Sequence, residues 1–552
     1  MSYHRLTTRL GLAVLAALLI HIGSALADET GRYWVYFRDK NIGESELSGA
    51  LAKTAHDLTP AARARRLKEM PDLVDWYDLP ISTAYLADVR ASGAQVRRAS
   101  KWLNAISVEA TKEQITTIRV LPFVSRVESF HLRAIQEPLH PGRILDDLHY
   151  GDSFTQYQLC RVPELHNRGL SGHGVLMCML DTGAWLLHDV FDSLHVVATY
   201  DFVNSDSNVA NEPGQDVEGQ HLHGTAVLST IAGYKDSVLI GPAYGADLLV
   251  AKTEWVGGEV PLEEDNYVAA LEWADSLGVQ ITTSSLGYLD WYLPENMDGQ
   301  TAVTTLAVNV AVSRGILVCT AAGNEGGNDW HIIIAPADAD SILAVGAVSN
   351  EGSVVGFSSR GPTADGRIKP DICAMGADVW CARADSNDYW LLSGTSLATP
   401  IVAGITALVM EAHPDWTAQM VRTAIMSTAS NHETPDNDYG WGIVDAVQAV
   451  DYVFDDVSNQ PRAVPNSLVL VSSYPNPVNG IATIQVVLAK AGNGKLTLYD
   501  ELGREVRSWE KGVWTAGENR VALDVSNLAT GSYVARYSGN VGTGINRIVI
   551  LK

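Results

Sequence analysis

Val175-Leu176-Met177-Cys178-Met179-Leu180-Asp181-Thr182-Gly183 is an unbroken apolar run that stops on an acid, a hydroxyl and a glycine. A strand wet on one face alternates apolar and polar residues, whereas a strand covered on both faces need not. The run therefore reads as a central strand of a parallel sheet, with Asp181 at its carboxyl end. Leu248 to Ala251, Val279 to Ser284, Ile316 to Ala322 and Ile342 to Val348 have the same character. Between them, Asn266 to Leu277 and Thr301 to Arg314 read as helices. Thr417 to Met426, after Pro414, reads as a later surface helix. Strands alternating with helices imply α/β architecture with a mostly parallel sheet. In such sheets the chemistry collects beyond the carboxyl ends of the strands, so the residues that close each run are the candidates for it.

Asp181-Thr182-Gly183 sits at one such end, as a structural turn or as a charge held for a purpose. An aspartic peptidase is one alternative, but it needs two carboxylates sharing a proton. The chain has no second Asp-Thr-Gly and no Asp-Ser-Gly. His221-Leu222-His223-Gly224-Thr225 runs into the helix-like Thr225 to Ala232, placing His223 just before or within its first turn. Two histidines at this spacing could touch a metal, but zinc sites use a third ligand at a recognisable spacing, and none is evident. Ala321-Ala322-Gly323-Asn324-Glu325-Gly326 closes another strand. Asn324 is either a turn former or a neutral donor able to bind an oxyanion. Leu392-Ser393-Gly394-Thr395-Ser396-Leu397-Ala398-Thr399-Pro400 is a short turn feeding the apolar run Ile401 to Val409. Ser396 then lies at a helix N-terminus, either as a cap or as a nucleophile beside free N–H groups and the positive end of the helix dipole.

Charge narrows the function class. The 552 residues carry a formal net charge of −25. Residues 151–456 hold 41 Asp and Glu against 10 Lys and Arg, while residues 28–150 hold 17 of each. So acidic a middle block argues against nucleic-acid phosphate as partner and suits solubility outside a cell or binding of a cation. At five, the cysteines are odd in number. Cys178 and Cys319 fall inside apolar strands and read as small core residues. Cys373 and Cys381 are candidates for a local bridge that sequence cannot settle, and Cys160 has no obvious mate.

Outward from the centre, residues 1–27 carry Arg5 and Arg9, then an apolar run from Leu10 to Ile22, then Ala25-Leu26-Ala27. That is the layout of a secretory signal, with the apolar run shorter than the roughly 20 residues of a membrane span. Residues 28–150 read as a small α+β unit. Tyr33 to Phe37 is rich in strand formers. Pro60 to Glu69 follows Thr59 as a helix with proline at its first position. Ala99 to Ala110 contains a second strand, and Thr111 opens a helix that ends before Pro122. His131 to Tyr150 resembles a linker. Beyond Asp456 the composition shifts to a linker at 457–466 and then, over 467–552, to short alternating strands such as Lys495 to Tyr499. Asp500 to Val506 reads as a turn, and Leu528 to Tyr533 and Ile548 to Lys552 complete a β module.

Asp-Thr-Gly, His-Gly-Thr, Ala-Gly-Asn and Gly-Thr-Ser-x-Ala-x-Pro, in this order, resemble the subtilisin-like serine peptidases, whose triad runs Asp, His, Ser along the chain. The resemblance covers about Tyr157 to Phe454 and implies a three-layer α/β/α catalytic domain at 151–456. It implies Ser396 as nucleophile, His223 as general base and Asp181 as the group that orients the imidazole. It further implies Asn324 as oxyanion donor and Ser285, Leu286 and Gly287 as the strand that receives an extended peptide. Leu397 stands where the family often has Met, Ala374-Met375-Gly376 where it has Ala-Pro-Gly, and Thr399 where it usually has Ala. These departures bear on packing and pocket shape. Family members commonly bind structural calcium, and Asp201, Asp206 and Asp216 in the acidic loop are the candidates here. The chemistry itself implies no required cofactor. Residues 28–150 resemble the family's propeptide, which inhibits the enzyme and assists its folding. Residues 467–552 resemble the β-sandwich sorting domain of proteins exported by the type IX secretion system. The expected protein is thus a secreted or cell-surface endopeptidase precursor. Its partners are protein or peptide substrates, its own propeptide and the export machinery.

Overall fold

The structure, a computed structural model, describes residues 30–70, 72–129, 150–258, 260–454 and, within 469–550, all but 475–477, 479–480, 489–490, 501–503, 516, 526, 530 and 541. The leader at 1–27, the linker at 457–466 and nearly all of the stretch from His131 to Tyr150 lie outside the described residues.

The aromatic run at the N-terminus forms β1 (Gly31–Phe37). Helices α1 (Glu44–Asp57), α2 (Pro60–Glu69) and α3 (Thr83–Ala91) follow. α2 has the bounds its sequence suggests, with the Thr59 side chain accepting from the Ala62 N–H. The stretch expected to hold one strand holds β2 (Gln95–Ser100) and β3 (Ala105–Ala110), because Asn104 takes a left-handed φ of +49° and turns the chain between them. α4 (Lys112–Arg119) opens on a reciprocal cap between Thr111 and Gln114, and β4 (Val124–Ser129) completes the antiparallel order β2-β3-β1-β4. α1 escapes a sequence reading because it is largely exposed and carries no apolar stripe.

The central block alternates as expected. It runs β5 (Leu176–Asp181), β6 (His195–Asp201), α5 (Leu222–Ala232), β7 (Asp247–Lys252), α6 (Leu262–Leu277), β8 (Ile281–Ser284), α7 (Val303–Ser313), β9 (Leu317–Ala321), β10 (Leu343–Val348) and β11 (Ile372–Met375). A ribbon of β12 (Val379–Ala382) and β13 (Tyr389–Leu392) precedes α8 (Thr395–Ala412) and α9 (Ala418–Ser427). The seven-stranded sheet has the order β11-β10-β9-β8-β5-β7-β6, all parallel. β5 sends Met177 and Met179 into a core with Val227 of α5 and Ile401 and Ile405 of α8. It sends Cys178 and Leu180 into a second core with Val268 and Leu271 of α6 and Val308 of α7. Helices on both faces explain why the strand needs no polar residue before Asp181. α8 is apolar all round for the same reason, being sheathed by protein. α6 begins at Leu262 rather than Asn266, since Glu263, Glu264 and Asp265 favour the positive end of its dipole.

The N-terminal sheet lies against α6. Trp34, Tyr36 and Trp102 share a core with Tyr267 and Leu271. Ser100 Oγ donates to Glu272 Oε1 at 2.7 Å, and Ser107 Oγ donates to Asp265. α2 anchors separately. Arg65 pairs with Asp275, and Arg66 reaches both Asp275 (2.6 Å) and Asp78 (2.9 Å), all essentially without solvent.

Residues 453–552 form a unit of their own. Within it, β14 (Val469–Tyr474), β15 (Ile481–Leu488), β16 (Gly492–Tyr499), β17 (Glu505–Trp514), β18 (Gly517–Asp524), β19 (Gly531–Gly539) and β20 (Gly542–Ile550) make two antiparallel sheets. Their orders are β14-β15-β18 and β17-β16-β19-β20, around Ile484, Leu498, Trp514, Tyr537 and Ile548. Glu505 and Val506, expected in a turn, belong to β17.

No bridge joins Cys373 to Cys381; all five cysteines are free and buried. Cys373 lies in the large sheet and Cys381 in the ribbon, and their thiols donate to different carbonyls, Tyr439 O and Trp390 O.

Candidate active site

β5 and β8 are neighbours, and the chain departs from them in opposite directions across the sheet. A crevice opens at such a switch point, outside the carboxyl ends of the strands. Asp181 ends one strand and Ser285 follows the other.

Asp181 is fully buried. Its Oδ1 accepts from the Thr182 N–H at 2.7 Å, from Thr182 Oγ1 at 3.2 Å and from His223 Nδ1 at 2.7 Å. The contact with His223 depends on two glycines. Gly183 has φ +101°, and a Cβ there would lie 2.1 Å from Val209 O. A Cβ on Gly224 would lie 1.9 Å from Gly183 O and 3.0 Å from Asp181 Oδ1. Only a glycine after His223 lets the first turn of α5 come this near the strand end. Thr182 secures the approach by accepting the Gly224 N–H at 3.1 Å. Burial works against charge on His223, but the Asp181 carboxylate outweighs it, and the imidazole pKa lies above its ordinary value. Among the described residues its Nε2 has no hydrogen-bond partner, and about a third of the side chain remains exposed.

His221 has a different fate. Its Nδ1 accepts the Asn211 N–H at 2.8 Å, which leaves Nε2 to donate to Asp385 Oδ1 at 3.1 Å. It braces the acidic loop and does not share a ligand with His223, so the two histidines form no metal pair.

Ser396 lies in the first turn of α8, after the extended Gly394. Its Oγ donates to Ser285 O at 3.2 Å, and Ser285 Oγ donates back to Ser396 O at 2.7 Å. No hydrogen bond joins Ser396 to the imidazole among the described residues; the hydroxyl is turned to the Ser285 carbonyl. α5 and α8 pack together, with Ala226 and Leu397 in one small apolar cluster, so the helix starts bearing His223 and Ser396 are neighbours.

Asn324 is held by one edge of its amide. Oδ1 accepts from the Thr395 N–H at 2.9 Å and from Thr395 Oγ1 at 3.0 Å. That fixes the orientation of the amide and leaves Nδ2 free of partners among the described residues. The place where a Gly394 Cβ would sit is 3.6 Å from Asn324 Nδ2 and 3.6 Å from the Ser396 N, with nothing closer. Two donor nitrogens thus lie equally far from one open point near the Ser396 Cβ, an arrangement able to bind an oxyanion. Leu286 and Gly287 use neither N–H nor carbonyl in a backbone hydrogen bond among the described residues, so this edge is open to an added strand.

The acidic loop does not gather its carboxylates around an empty space. Asp201 Oδ2 and Asp216 Oδ1 close on Lys252 Nζ at 2.8 and 2.6 Å, all three buried. Asp206 accepts the Asp201 N–H through its backbone carbonyl at 2.9 Å, while its carboxylate turns away to cap the Asn208 N–H. An ammonium already balances the two acids, and a calcium ion at the same point would be repelled by it. The described residues hold no cluster of three or more His, Cys, Asp or Glu side chains placed to bind a metal. The loop residues do not fit calcium.

Thr182, Gly224 and Thr395 stand within the motifs but have no role assigned from sequence, and Lys252 stands outside them. Gly224 had a signal in standing directly after a candidate base. Lys252 had one as a lone cation ending an apolar strand in an acid-rich block. The two threonines had none beyond adjacency.

Residues 172–442 match the subtilase family, residues 32–141 the peptidase S8 propeptide domain of Bacteroidota, and residues 472–551 the secretion system C-terminal sorting domain. The chain is 31% identical over 346 residues to M-protease of Shouchella clausii (strain KSM-K16), covering 62% of this chain and 78% of that one. It is 31% identical over 353 residues to subtilisin E of Bacillus subtilis (strain 168), covering 63% and 82%. With subtilisin BL of Lederbergia lenta it shares 33% identity over 291 residues, 52% of this chain and 95% of the relative.

Proposed function

Because this chain belongs to the subtilase family, we propose that Ser396, His223 and Asp181 cleave peptide bonds through an acyl-enzyme. The protein is a serine-type endopeptidase made as a propeptide-bearing precursor, and it is secreted or held at the cell surface. In the proposed reaction an extended peptide adds to the open edge at Leu286 and Gly287, and its scissile carbonyl enters between Asn324 Nδ2 and the Ser396 N–H. Asp181 keeps a proton on His223 Nδ1, so Nε2 carries the lone pair. The Ser396 hydroxyl turns from Ser285 O and gives its proton to Nε2 as Oγ attacks. The oxyanion is met by the two donors; losing the side-chain one costs on the order of 10²–10³ in turnover, a magnitude that comes from subtilisin itself. The imidazolium, stabilised by Asp181, returns the proton to the leaving amine, and water repeats the sequence on the acyl-enzyme. Side chains handle every proton, so the scheme requires no cofactor. The N-terminal sheet on α6 serves as inhibitor until it is cut away, and the C-terminal module directs export.

The observation that carries the reading is the 2.7 Å contact from His223 Nδ1 to Asp181 Oδ1, which leaves Nε2 free. A fluorophosphonate probe tests it. The mature chain is expected to label at Ser396, while Ser396→Ala stays unlabelled and keeps its propeptide attached. A folded, propeptide-free chain that does not label would refute the assignment.

A further inference from the structure

Two glycines flank the nucleophile's side of the crevice, Gly287 beyond β8 and Gly323 beyond β9. Neither has a side chain to offer the space between them, so that space would be a slot. Its back is closed by the segment around Ile334. The Ile334 N–H donates to Ala322 O at 3.1 Å, and Ala335 exchanges hydrogen bonds with Tyr288 at 3.2 and 2.8 Å. Those bonds span from one strand end to the other and aim the Ile334 side chain into the slot. A Cβ on Gly287 would lie 2.2 Å from Ile334 Cδ1 and 2.5 Å from its Cγ1. A Cβ on Gly323 would lie 2.8 Å from Ser359 Oγ and 3.1 Å from both of those isoleucine atoms. The isoleucine is thus wedged between the two glycines and is only 7% exposed.

We propose that Ile334 sets the specificity of the peptidase by filling this slot, so that the residue giving up the scissile carbonyl must be small: glycine, alanine or serine. The proposal rests on the peptidase reading above. A peptide lying along Leu286 and Gly287 with its carbonyl at Asn324 Nδ2 and the Ser396 N–H has the side chain of that residue next to the gap between the glycines. A methyl group fits over Ile334 there. A phenyl ring must displace an isoleucine whose backbone is tied on both sides, and interiors packed this closely yield at a cost. Excluding a group from an apolar slot changes kcat/KM by roughly tenfold or more.

The test compares chromogenic peptides that differ only in that residue, Ala against Phe. Wild type is expected to favour Ala by roughly tenfold or more in kcat/KM. Ile334→Gly, and Ile334→Ala as the milder change, are expected to move the Ala-to-Phe ratio toward Phe by roughly tenfold, chiefly through KM on the Phe peptide. Fluorophosphonate labelling of Ser396 reports whether the site is assembled in each variant. A wild-type enzyme that cleaves the Phe peptide as well as the Ala peptide overturns the proposal and leaves the peptidase reading standing. So does a labelled variant whose ratio does not move. If both variants fail to label, the wild-type ratio alone decides. A wild-type mature chain that neither labels nor cuts any peptide removes the peptidase reading, and this proposal with it.

Discussion

Replacing Gly224 by alanine should disable the enzyme without touching a reacting group. The added Cβ would sit 1.9 Å from Gly183 O and 3.0 Å from Asp181 Oδ1, where real contacts are at least 3.0 Å. Neither obstacle is the end of a flexible side chain; one is backbone and the other a buried carboxylate. The start of α5 must therefore retreat by roughly 1 Å, a displacement that costs about 10²-fold when it falls on a catalytic contact. The His223 Nδ1 to Asp181 Oδ1 distance, now 2.7 Å, would pass the limit for a hydrogen bond. With the imidazole no longer held in its tautomer, the loss can approach that of removing the carboxylate's function, about 10⁴-fold. We expect kcat/KM on a peptide to fall by roughly 10²–10⁴-fold with the fold retained. The assay is peptide cleavage by refolded, propeptide-free enzyme, with circular dichroism and the thermal midpoint as controls. A folded Gly224→Ala enzyme within about threefold of wild type would show that the close approach of helix and strand end is dispensable.

The raised His223 pKa gives a pH signature. Its reactive form is neutral, so activity should rise with pH through a half-point above the ordinary histidine value of about 6.5; a kcat/KM profile with its acid limb well below that value contradicts the pairing with Asp181. The sign for stability is opposite, since the imidazolium–carboxylate contact stabilises fully below the unfolded pKa and is lost as pH rises through the higher folded one. Asp275→Ala leaves the buried guanidinium of Arg65 with only carbonyl partners at Arg314 and Val279 and costs Arg66 one of its two carboxylates. Breaking such a pair costs about 3–5 kcal/mol, so the separated propeptide should inhibit Asp275→Ala mature enzyme roughly 10²–10⁴-fold more weakly. An unchanged inhibition constant would place the anchor elsewhere. Lys252→Met strands Asp201 and Asp216 without their cation. In the Ser396→Ala background the thermal midpoint should drop by on the order of 10 °C, while added calcium leaves the Lys252 protein unmoved. A calcium-dependent midpoint that Asp216→Asn abolishes would return the metal to this loop.

Sequence alone determined the frame. An apolar run ending on Asp181 dictates a strand buried on both faces, and four strand-end or helix-start motifs in order name the chemistry, because local composition fixes where the chain extends, coils and turns. Helix starts were legible for the same reason: Thr59, ahead of Pro60 at the first position, accepts from the Ala62 N–H, and Thr111 caps with Gln114, bonds within four residues. Tertiary structure alone decided which groups meet. Asp201 and Asp216 read as a candidate calcium site until Lys252, paired across β6 and β7 with Asp201, supplied the cation. His221 and His223 are told apart by what each ring meets, Asn211 and Asp385 for one and Asp181 for the other. Ile334 looks like any core residue in the sequence, and its place between Gly287 and Gly323 follows from contacts across more than one strand. Charge balance and steric exclusion act through space, between residues far apart along the chain, and no local pattern encodes them.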